Sequence, residues 1–259
     1  MPKPKQLAIN HLQLTINQYH SAMFRYRLIR AAMHITRTIL LTRLQVVGRE
    51  NIPANGPYIV TLNHTSVADT PLLLLGFPLV AWRFFAGEKW RNHPIYGPIM
   101  AWLGAIYINR GEVDRQGLRD ALAAIEEGVV FGLAPEGSRS KNGQMQEAKV
   151  GAAYLASRAN VPILPVSFEN NDRLFANFKK LRFTKVKLTI GEPYTLPEIG
   201  RRAKGADLAA FTHLIMVKIA ALLPPRYWGV YADSPALAAL LAGEDPWPAC
   251  ETAVPTSSP

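Results

Sequence analysis

Residues 58–69 read Tyr-Ile-Val-Thr-Leu-Asn-His-Thr-Ser-Val-Ala-Asp, an apolar run that passes at once into a polar turn. The short run Tyr58–Leu62 follows the turn residues Asn55–Pro57 and predicts a buried strand. The next segment, Ala68–Leu75, predicts a helix. A strand, a polar turn and a helix in this order are typical of α/β folds, in which ligands bind beyond the carboxyl ends of strands.

The same alternation continues through the rest of the chain. Further strands are predicted at Val80–Phe85, Ala105–Asn109, Val129–Leu133, Val161–Phe168 and Lys185–Ile190. Further helices are predicted at His93–Leu103, Arg115–Glu127, Lys149–Ala159 and Asp207–Leu223. This pattern predicts an α/β fold in which helices cover the faces of a central sheet.

The length of 259 residues fits one large α/β domain with an appended helical segment, and 49% apolar residues exclude global disorder. We expect N-terminal amphipathic, membrane-associating helices over residues 1–45 and the main domain over 46–232. Residues 233–259 form a tail that turns rich in proline and small or polar residues from Gly243 onward, and we expect it to be loosely held and partly disordered.

The net charge of +10 and the pI of about 9.8 predict an anionic partner. Residues 1–48 carry seven Lys or Arg and no Asp or Glu. In a helix, one face would be apolar, with Leu28, Ala32, Ile35 and Ile39. The opposite face would carry Arg27, Arg30, His34 and Arg37. Apolar residues recur with the same period over residues 9–23, which predicts a second amphipathic helix. A basic amphipathic pair indicates contact with an anionic membrane surface, whereas the alternative is that both apolar stripes pack on the main domain. No stretch has the length and apolarity of a spanning helix.

Composition also excludes several classes of protein. The single cysteine, Cys250, rules out a disulfide framework and a cysteine-rich zinc site, and no HExxH motif occurs, so we expect no metal and no cofactor. A nucleic-acid-binding module would explain the pI, but no helix-turn-helix, zinc finger or stacking aromatic motif accompanies it, so no nucleic-acid partner is expected.

Three predicted strands end in polar clusters. The first contains His64 and Asp69, the second is Ala134–Ser140 and the third is Gly104–Arg110. Five residues on a helix turn through about 140°, so His64 can contact Asp69 only from the turn before the helix. In that arrangement the carboxylate would hold one imidazole nitrogen and leave the other to accept a proton.

Together these clusters resemble a known family. The NHxxxxD pattern of Asn63–Asp69, the PEGSRS run Pro135–Ser140, the VPILPV run Val161–Val166 and Gly104–Arg110 are similar to the four blocks of the PlsC-like 1-acylglycerol-3-phosphate acyltransferases. The resemblance extends from about Val46 to Gly191. It implies a mixed central sheet flanked by helices, at the cytoplasmic side of a membrane as a peripheral or monotopic protein. It also implies acyl transfer from acyl-CoA or acyl-carrier protein, as co-substrate, to a lysophospholipid hydroxyl.

The resemblance implies a role for each matching residue. His64 would be the general base and Asp69 its orienter. The substrate-binding residues would be Arg110, Glu136, Gly137, Ser138, Arg139 and Lys149. With no Gly-x-Ser-x-Gly elbow, the hydroxyl would attack directly in a ternary complex.

Departures from the family pattern leave the acceptor open. Ala134 stands where Phe is common, Asn109 where Asp is common and Ser138 where Thr is usual. The resemblance favours lysophosphatidate, which would be acylated at its sn-2 hydroxyl to give phosphatidate. The alternative acceptor is another lysophospholipid, glycerol 3-phosphate or a glycolipid, and the alternative reaction is hydrolysis, with His64 activating water.

A second basic run has no acidic residue between its ends. It comprises Arg173, Lys179, Lys180, Arg182, Lys185 and Lys187. Such a run would face lipid headgroups or the phosphates of CoA, or it would be a solvated loop and edge strand, and the sequence does not choose among these.

Overall fold

The computed structural model describes residue 24, residues 27–109 and residues 114–253. Its core is a seven-stranded sheet in the order β1-β7-β6-β2-β5-β3-β4. The strands are β1 (Thr42–Val47), β2 (Ile59–Leu62), β3 (Trp82–Gly87), β4 (Ala105–Ile108), β5 (Val130–Leu133), β6 (Ile163–Glu169) and β7 (Thr184–Ile190). Strands β2 to β6 are mutually parallel, β7 is antiparallel to β6, and β1 is parallel to β7. The sheet is therefore mixed, as predicted.

The carboxyl ends of the parallel strands β2 to β6 lie along one edge of the sheet, here called the carboxyl edge. Strands β2 to β6 end at this edge, whereas β7 and β1 begin there because β7 reverses the direction of β6. Every loop that follows β2 to β6, and the segments that enter β7 and β1, therefore meet on the same side of the molecule.

Helices cover both faces of the sheet. They are α1 (27–39), α2 (Asp69–Gly76), α3 (Tyr96–Trp102), α4 (Arg115–Glu126), α5 (Gly151–Ala159), α6 (Leu174–Lys179), α7 (Gly205–Ala220), α8 (Pro235–Leu241) and α9 (Trp247–Thr252). Alternate residues of β2 serve two cores: Ile59 packs with α4, α5 and α7, whereas Val60 packs with α2. All four residues of β2 are buried, which explains why its sequence is apolar except at Thr61.

Helix α1 packs on the domain through a different face from the one expected. Its residues Ile29 and Met33 lie against the core, and Arg30, expected on the solvated polar face, donates from Nη1 to the Phe77 carbonyl at 3.0 Å. Ile35 and Ile39 of the expected apolar face are 62% and 61% exposed. This stripe therefore does not pack on the main domain. The companion helix expected over 9–23 lies outside the described residues.

The described part of the C-terminal segment is ordered, which corrects the expectation of a loose tail. Helices α8 and α9 pack on α7, and Cys250 of α9 is fully buried. The Trp247 ring stacks on Phe211 with centroids 5.2 Å apart. The prolines at 246 and 248 begin α9 rather than disrupt a helix, because the first turn of a helix tolerates proline.

The sheet also begins earlier than predicted. Strand β1 starts at Thr42, inside the segment assigned to the N-terminal helices, and pairs with β7 along its whole length. Its polar residues Arg43 and Gln45 are exposed because the strand lies at the end of the sheet. The strand was missed because these polar residues interrupt the apolar run in the sequence. Within the described ranges, no helix is both long enough and apolar enough to cross a bilayer.

Candidate active site

The turn between β2 and α2 brings His64 and Asp69 into contact at the carboxyl edge. His64 Nδ1 lies 2.7 Å from Asp69 Oδ2, which confirms that the two side chains meet. Asp69 is the first residue of α2 and is 1% exposed, whereas the His64 side chain is 19% exposed. The imidazole therefore has a buried partner on Nδ1 and a partly accessible ring.

Asn63 anchors this turn to the neighbouring strand. Its amide donates to the Phe168 carbonyl at 3.2 Å, and the Phe168 N–H donates back to Asn63 Oδ1 at 2.8 Å. Both groups are fully buried. The pair continues the β2–β6 pairing beyond the last strand residue, and it fixes the backbone on which His64 stands.

Four donors converge on the Asp69 carboxylate. The backbone N–H groups of Thr65 and Ser66 donate to Oδ2 at 3.0 and 3.1 Å, in addition to the contact with His64. The Asn171 amide donates to Oδ1. A buried carboxylate with this many partners is held in one position, which in turn orients the imidazole.

Asn171 is a site residue that sequence reasoning missed. It lies in the turn after β6, is fully buried, and its Oδ1 accepts from the Thr65 hydroxyl at 2.8 Å. The available signal was its place two residues beyond the carboxyl end of a strand, the same position that singled out the other clusters. Asn171 and Asp69 are 102 residues apart in the sequence, so no local sequence pattern predicts their contact.

The loop after β5 holds the backbone of His64. Glu136 Oε1 accepts from the His64 N–H at 3.1 Å, and the Ser140 N–H donates to the His64 carbonyl at 2.7 Å. The side-chain amide of Gln146 donates a hydrogen bond to Glu136 Oε2 at 3.2 Å. Burial raises the pKa of Glu136 to about 7. These contacts differ from the substrate-binding role that the resemblance implies, because the carboxylate is buried and both of its oxygens already accept hydrogen bonds.

The remaining expected residues of this loop border the same site. Gly137 adopts a left-handed conformation with φ of 70°, and the Lys149 side chain lies across it. Ser138, Arg139 and Lys149 are exposed. A Cβ atom at Gly137 would approach Lys149 Cδ to 3.2 Å, so the absence of a side chain lets the lysine lie flat over the loop.

Arg110 lies outside the described residues, which stop at Asn109 and resume at Asp114. Strand β4, which carries the chain to this point, ends at Ile108 on the same carboxyl edge as His64. Within 27–109 and 114–253, no group of His, Cys, Asp or Glu side chains is placed to hold a metal ion.

Comparisons with known proteins point to acyltransferases. A family model described as Acyltransferase matches residues 43–169. Two proteins named 1-acyl-sn-glycerol-3-phosphate acyltransferase are similar: one from Borreliella burgdorferi (26% identity, 57% of this chain and 60% of that protein) and one from Bacillus subtilis (23%, 68% and 86%). The crystal structure of the acyltransferase PlsC from Thermotoga maritima superposes with a TM-score of 0.55 at 32% identity, covering 65% of this chain and 68% of that one.

The mixed sheet and these similarities define an α/β acyltransferase. The chain belongs to the PlsC-like family of glycerolipid acyltransferases. It spans about three fifths of the length of the Borreliella relative.

Proposed function

We propose that this protein is a 1-acylglycerol-3-phosphate O-acyltransferase. It would move a fatty acyl group from acyl-CoA or acyl-carrier protein to the sn-2 hydroxyl of lysophosphatidate and release phosphatidate. The observation that carries the proposal is the His64–Asp69 pair at the carboxyl edge, 2.7 Å apart and bordered by basic side chains. The names of the Borreliella, Bacillus and Thermotoga relatives support this acceptor.

The proposed mechanism uses the imidazole as a general base. Nδ1 is held by Asp69, so Nε2 is the nitrogen that accepts the acceptor's hydroxyl proton while the hydroxyl oxygen bonds to the thioester carbon. The resulting tetrahedral intermediate expels the thiolate, which takes the proton back from the imidazolium. A positioned base of this kind contributes about 10² to 10⁴-fold in rate, and the carboxylate stabilises the imidazolium.

The acceptor's phosphate would bind to the exposed cations around this pair. Arg139 follows Gly137 by two residues, and Lys149 lies over Gly137, so both are on the loop that contacts His64. Arg110 is proposed as a third cation because β4 ends on the same edge. A guanidinium matches a phosphate with two parallel hydrogen bonds, which suits Arg139 and Arg110 to this role. Glu136 would hold the backbone of His64 through its hydrogen bond to the His64 N–H rather than contact a phosphate.

We further propose that the N-terminal segment up to about residue 41 holds the protein against the cytoplasmic face of an anionic membrane. The exposed apolar stripe of α1 supports this placement, since Leu28, Ile35 and Ile39 are each about half or more exposed. Helix α1 leads directly into β1 at the carboxyl edge, so a lipid acceptor would reach the site without leaving the surface.

The decisive experiment is an assay with acyl-CoA and lysophosphatidate that follows both free thiol and lipid product. We expect thiol release to depend on the acceptor and His64→Ala to abolish it while the thermal unfolding midpoint stays near that of the native protein. Thiol release without an acceptor would instead indicate a hydrolase. Near-normal turnover by a folded His64→Ala variant would refute the general-base role.

A different acceptor is the alternative within the same chemistry. Ala134, half-buried at the end of β5 where the family commonly has Phe, leaves less side-chain volume beside the site and favours this alternative. A panel of lysophosphatidate, other lysophospholipids, glycerol 3-phosphate and glycolipids would decide between them. With the true acceptor, Arg139→Ala is expected to raise the acceptor KM and leave the donor KM unchanged.

A further inference from the structure

The segment 175–183, which comprises most of α6 and the turn that enters β7, exposes apolar and basic side chains together. Leu181 is 80% exposed, Phe183 is 59% exposed and Phe175 is 43% exposed. Lys179, Lys180 and Arg182 are interleaved with them and are also exposed. A soluble surface rarely combines large apolar side chains with a cluster of one charge unless it contacts a partner.

The backbone of this turn holds Leu181 outward at a conformational cost. Helix α6 ends in a Schellman motif: the Leu181 N–H donates to the Phe178 carbonyl and the Arg182 N–H to the Asn177 carbonyl, both at 2.9 Å. The left-handed residue of this motif is normally glycine, but here it is Leu181 with φ of 52°. A leucine in this conformation is strained and, at 80% exposure, recovers little by packing within the chain.

The charges of the segment have no acidic neighbours in sequence. From Arg173 to Gly191 the chain holds six Lys or Arg and no Asp or Glu. Arg43 of β1 lies over the Phe183 ring with its guanidinium carbon 5.0 Å from the centroid, which adds a cation from a second strand. This surface is complementary to an anionic plane, and its apolar side chains fit the boundary between headgroups and acyl chains.

Both ends of the segment are tied to functional parts of the molecule. Just before its start, Asn171 donates to Asp69 of the candidate site. Directly after its end, the Thr184 N–H donates to the carbonyl of Leu41, which follows α1, at 3.0 Å. The segment therefore lies at the carboxyl edge between the site and the end of α1, whose residue Ile39 is itself 61% exposed.

We propose that segment 175–183 is a second lipid-contacting element that inserts Leu181 and Phe183 into an anionic bilayer beside the candidate site. Together with the exposed stripe of α1, it makes a two-point contact that turns the carboxyl edge toward the membrane. Lys179, Lys180 and Arg182 thereby face lipid headgroups, whereas Lys187 of the same basic run pairs with Glu169 at 3.0 Å. This membrane contact does not depend on the identity of the acyl acceptor.

The test is sedimentation of the full-length chain with two kinds of vesicle, phosphatidylcholine alone and an equal mixture of phosphatidylcholine and phosphatidylglycerol. Leu181→Gly is expected to weaken partition onto the mixed vesicles about tenfold because one inserted leucine is lost. The same change is expected to raise Tm by about 2–4 °C, because glycine relieves the left-handed strain. A change that raises Tm yet lowers binding cannot be explained by loss of the fold.

Charge is tested by Lys179→Gln and Lys180→Gln, each expected to weaken binding to the mixed vesicles roughly fivefold and to leave binding to phosphatidylcholine unchanged. The matched control is Leu241→Ala, which shortens a leucine that is 51% exposed on α8 and is expected to change nothing. Native-like binding by Leu181→Gly and by the lysine variants would overturn the proposal. Normal vesicle binding with weakened binding of an acidic acyl-carrier protein would overturn it too, because the segment would then dock a protein donor.

Discussion

Replacing Asp69 with asparagine separates the structural role of this carboxyl group from its charge. The amide oxygen of asparagine can replace Oδ2 and accept from His64 and from the N–H groups of Thr65 and Ser66. Its NH₂ group would then face the Asn171 amide that donates to Oδ1. Rotation of the Asn171 amide by a half-turn turns this clash into a hydrogen bond, and the Thr65 hydroxyl can accept from the other side.

The expected cost in stability is therefore modest. Asp69→Asn keeps the number of hydrogen bonds and exchanges charge-assisted ones for neutral ones, so the free energy of unfolding should fall by about 1–3 kcal/mol. The cost in activity should be much larger, about 10³ to 10⁴-fold in kcat, because no negative charge remains to stabilise the imidazolium. By contrast, Asp69→Ala would leave the buried N–H of Ser66 without an acceptor and should destabilise the fold more than Asp69→Asn does.

Both quantities can be measured on the full-length chain. Thiol release from acyl-CoA at saturating lysophosphatidate reports kcat, and urea unfolding reports stability. Asn51→Ala is the matched control, since it removes a hydrogen bond to the Ile190 carbonyl at the opposite edge of the sheet. That control should lose about 1 kcal/mol of stability and no activity. A folded Asp69→Asn protein that keeps more than a tenth of the native kcat would refute the electrostatic argument.

Three further changes test the surroundings of the pair. Asn171→Leu should lower kcat about 10 to 100-fold with little change in either KM, because it frees Asp69 without touching substrate. Burial raises the pKa of Glu136 to about 7, so between about pH 4.5 and 7 the folded protein keeps a proton on this carboxyl group that the unfolded chain has lost. The free energy of unfolding should therefore fall by up to about 3 kcal/mol as the pH rises through this range. Glu136→Gln should remove this fall in urea unfolding measured across that range. Gly137→Ala should cost about 1 kcal/mol in stability at its positive φ and raise the acceptor KM by displacing Lys149.

Each of these has a contrary outcome that would count against it. A rise in KM with unchanged kcat in Asn171→Leu would place this side chain at the substrate rather than behind Asp69. A native pH–stability profile in Glu136→Gln would mean that another group titrates. An unchanged acceptor KM in Gly137→Ala would separate Lys149 from acceptor binding.

The buried strands and their succession along the chain were predictable because each is a short apolar run bounded by turn residues, a pattern that is local in sequence. The contact between His64 and Asp69 was predictable for a similar reason, since a helix that starts at Asp69 leaves His64 on the preceding turn. Strand β1 was missed because its exposed Arg43 and Gln45 interrupt the apolar pattern at the sheet edge. The C-terminal helices were missed because a content rich in proline predicts a loose tail, although Pro246 and Pro248 stand at the start of α9.

The sequence by itself determined the α/β class and the position of the His64–Asp69 pair, because hydrophobic periodicity and turn chemistry act over a few residues. Only the tertiary structure decided what surrounds that pair. Asn171 reaches Asp69 because β6 lies beside β2, and Glu136 reaches the His64 backbone because β5 lies on the other side of β2. Strand order decides which distant residues become neighbours, and it follows from the packing of the whole chain rather than from any single segment.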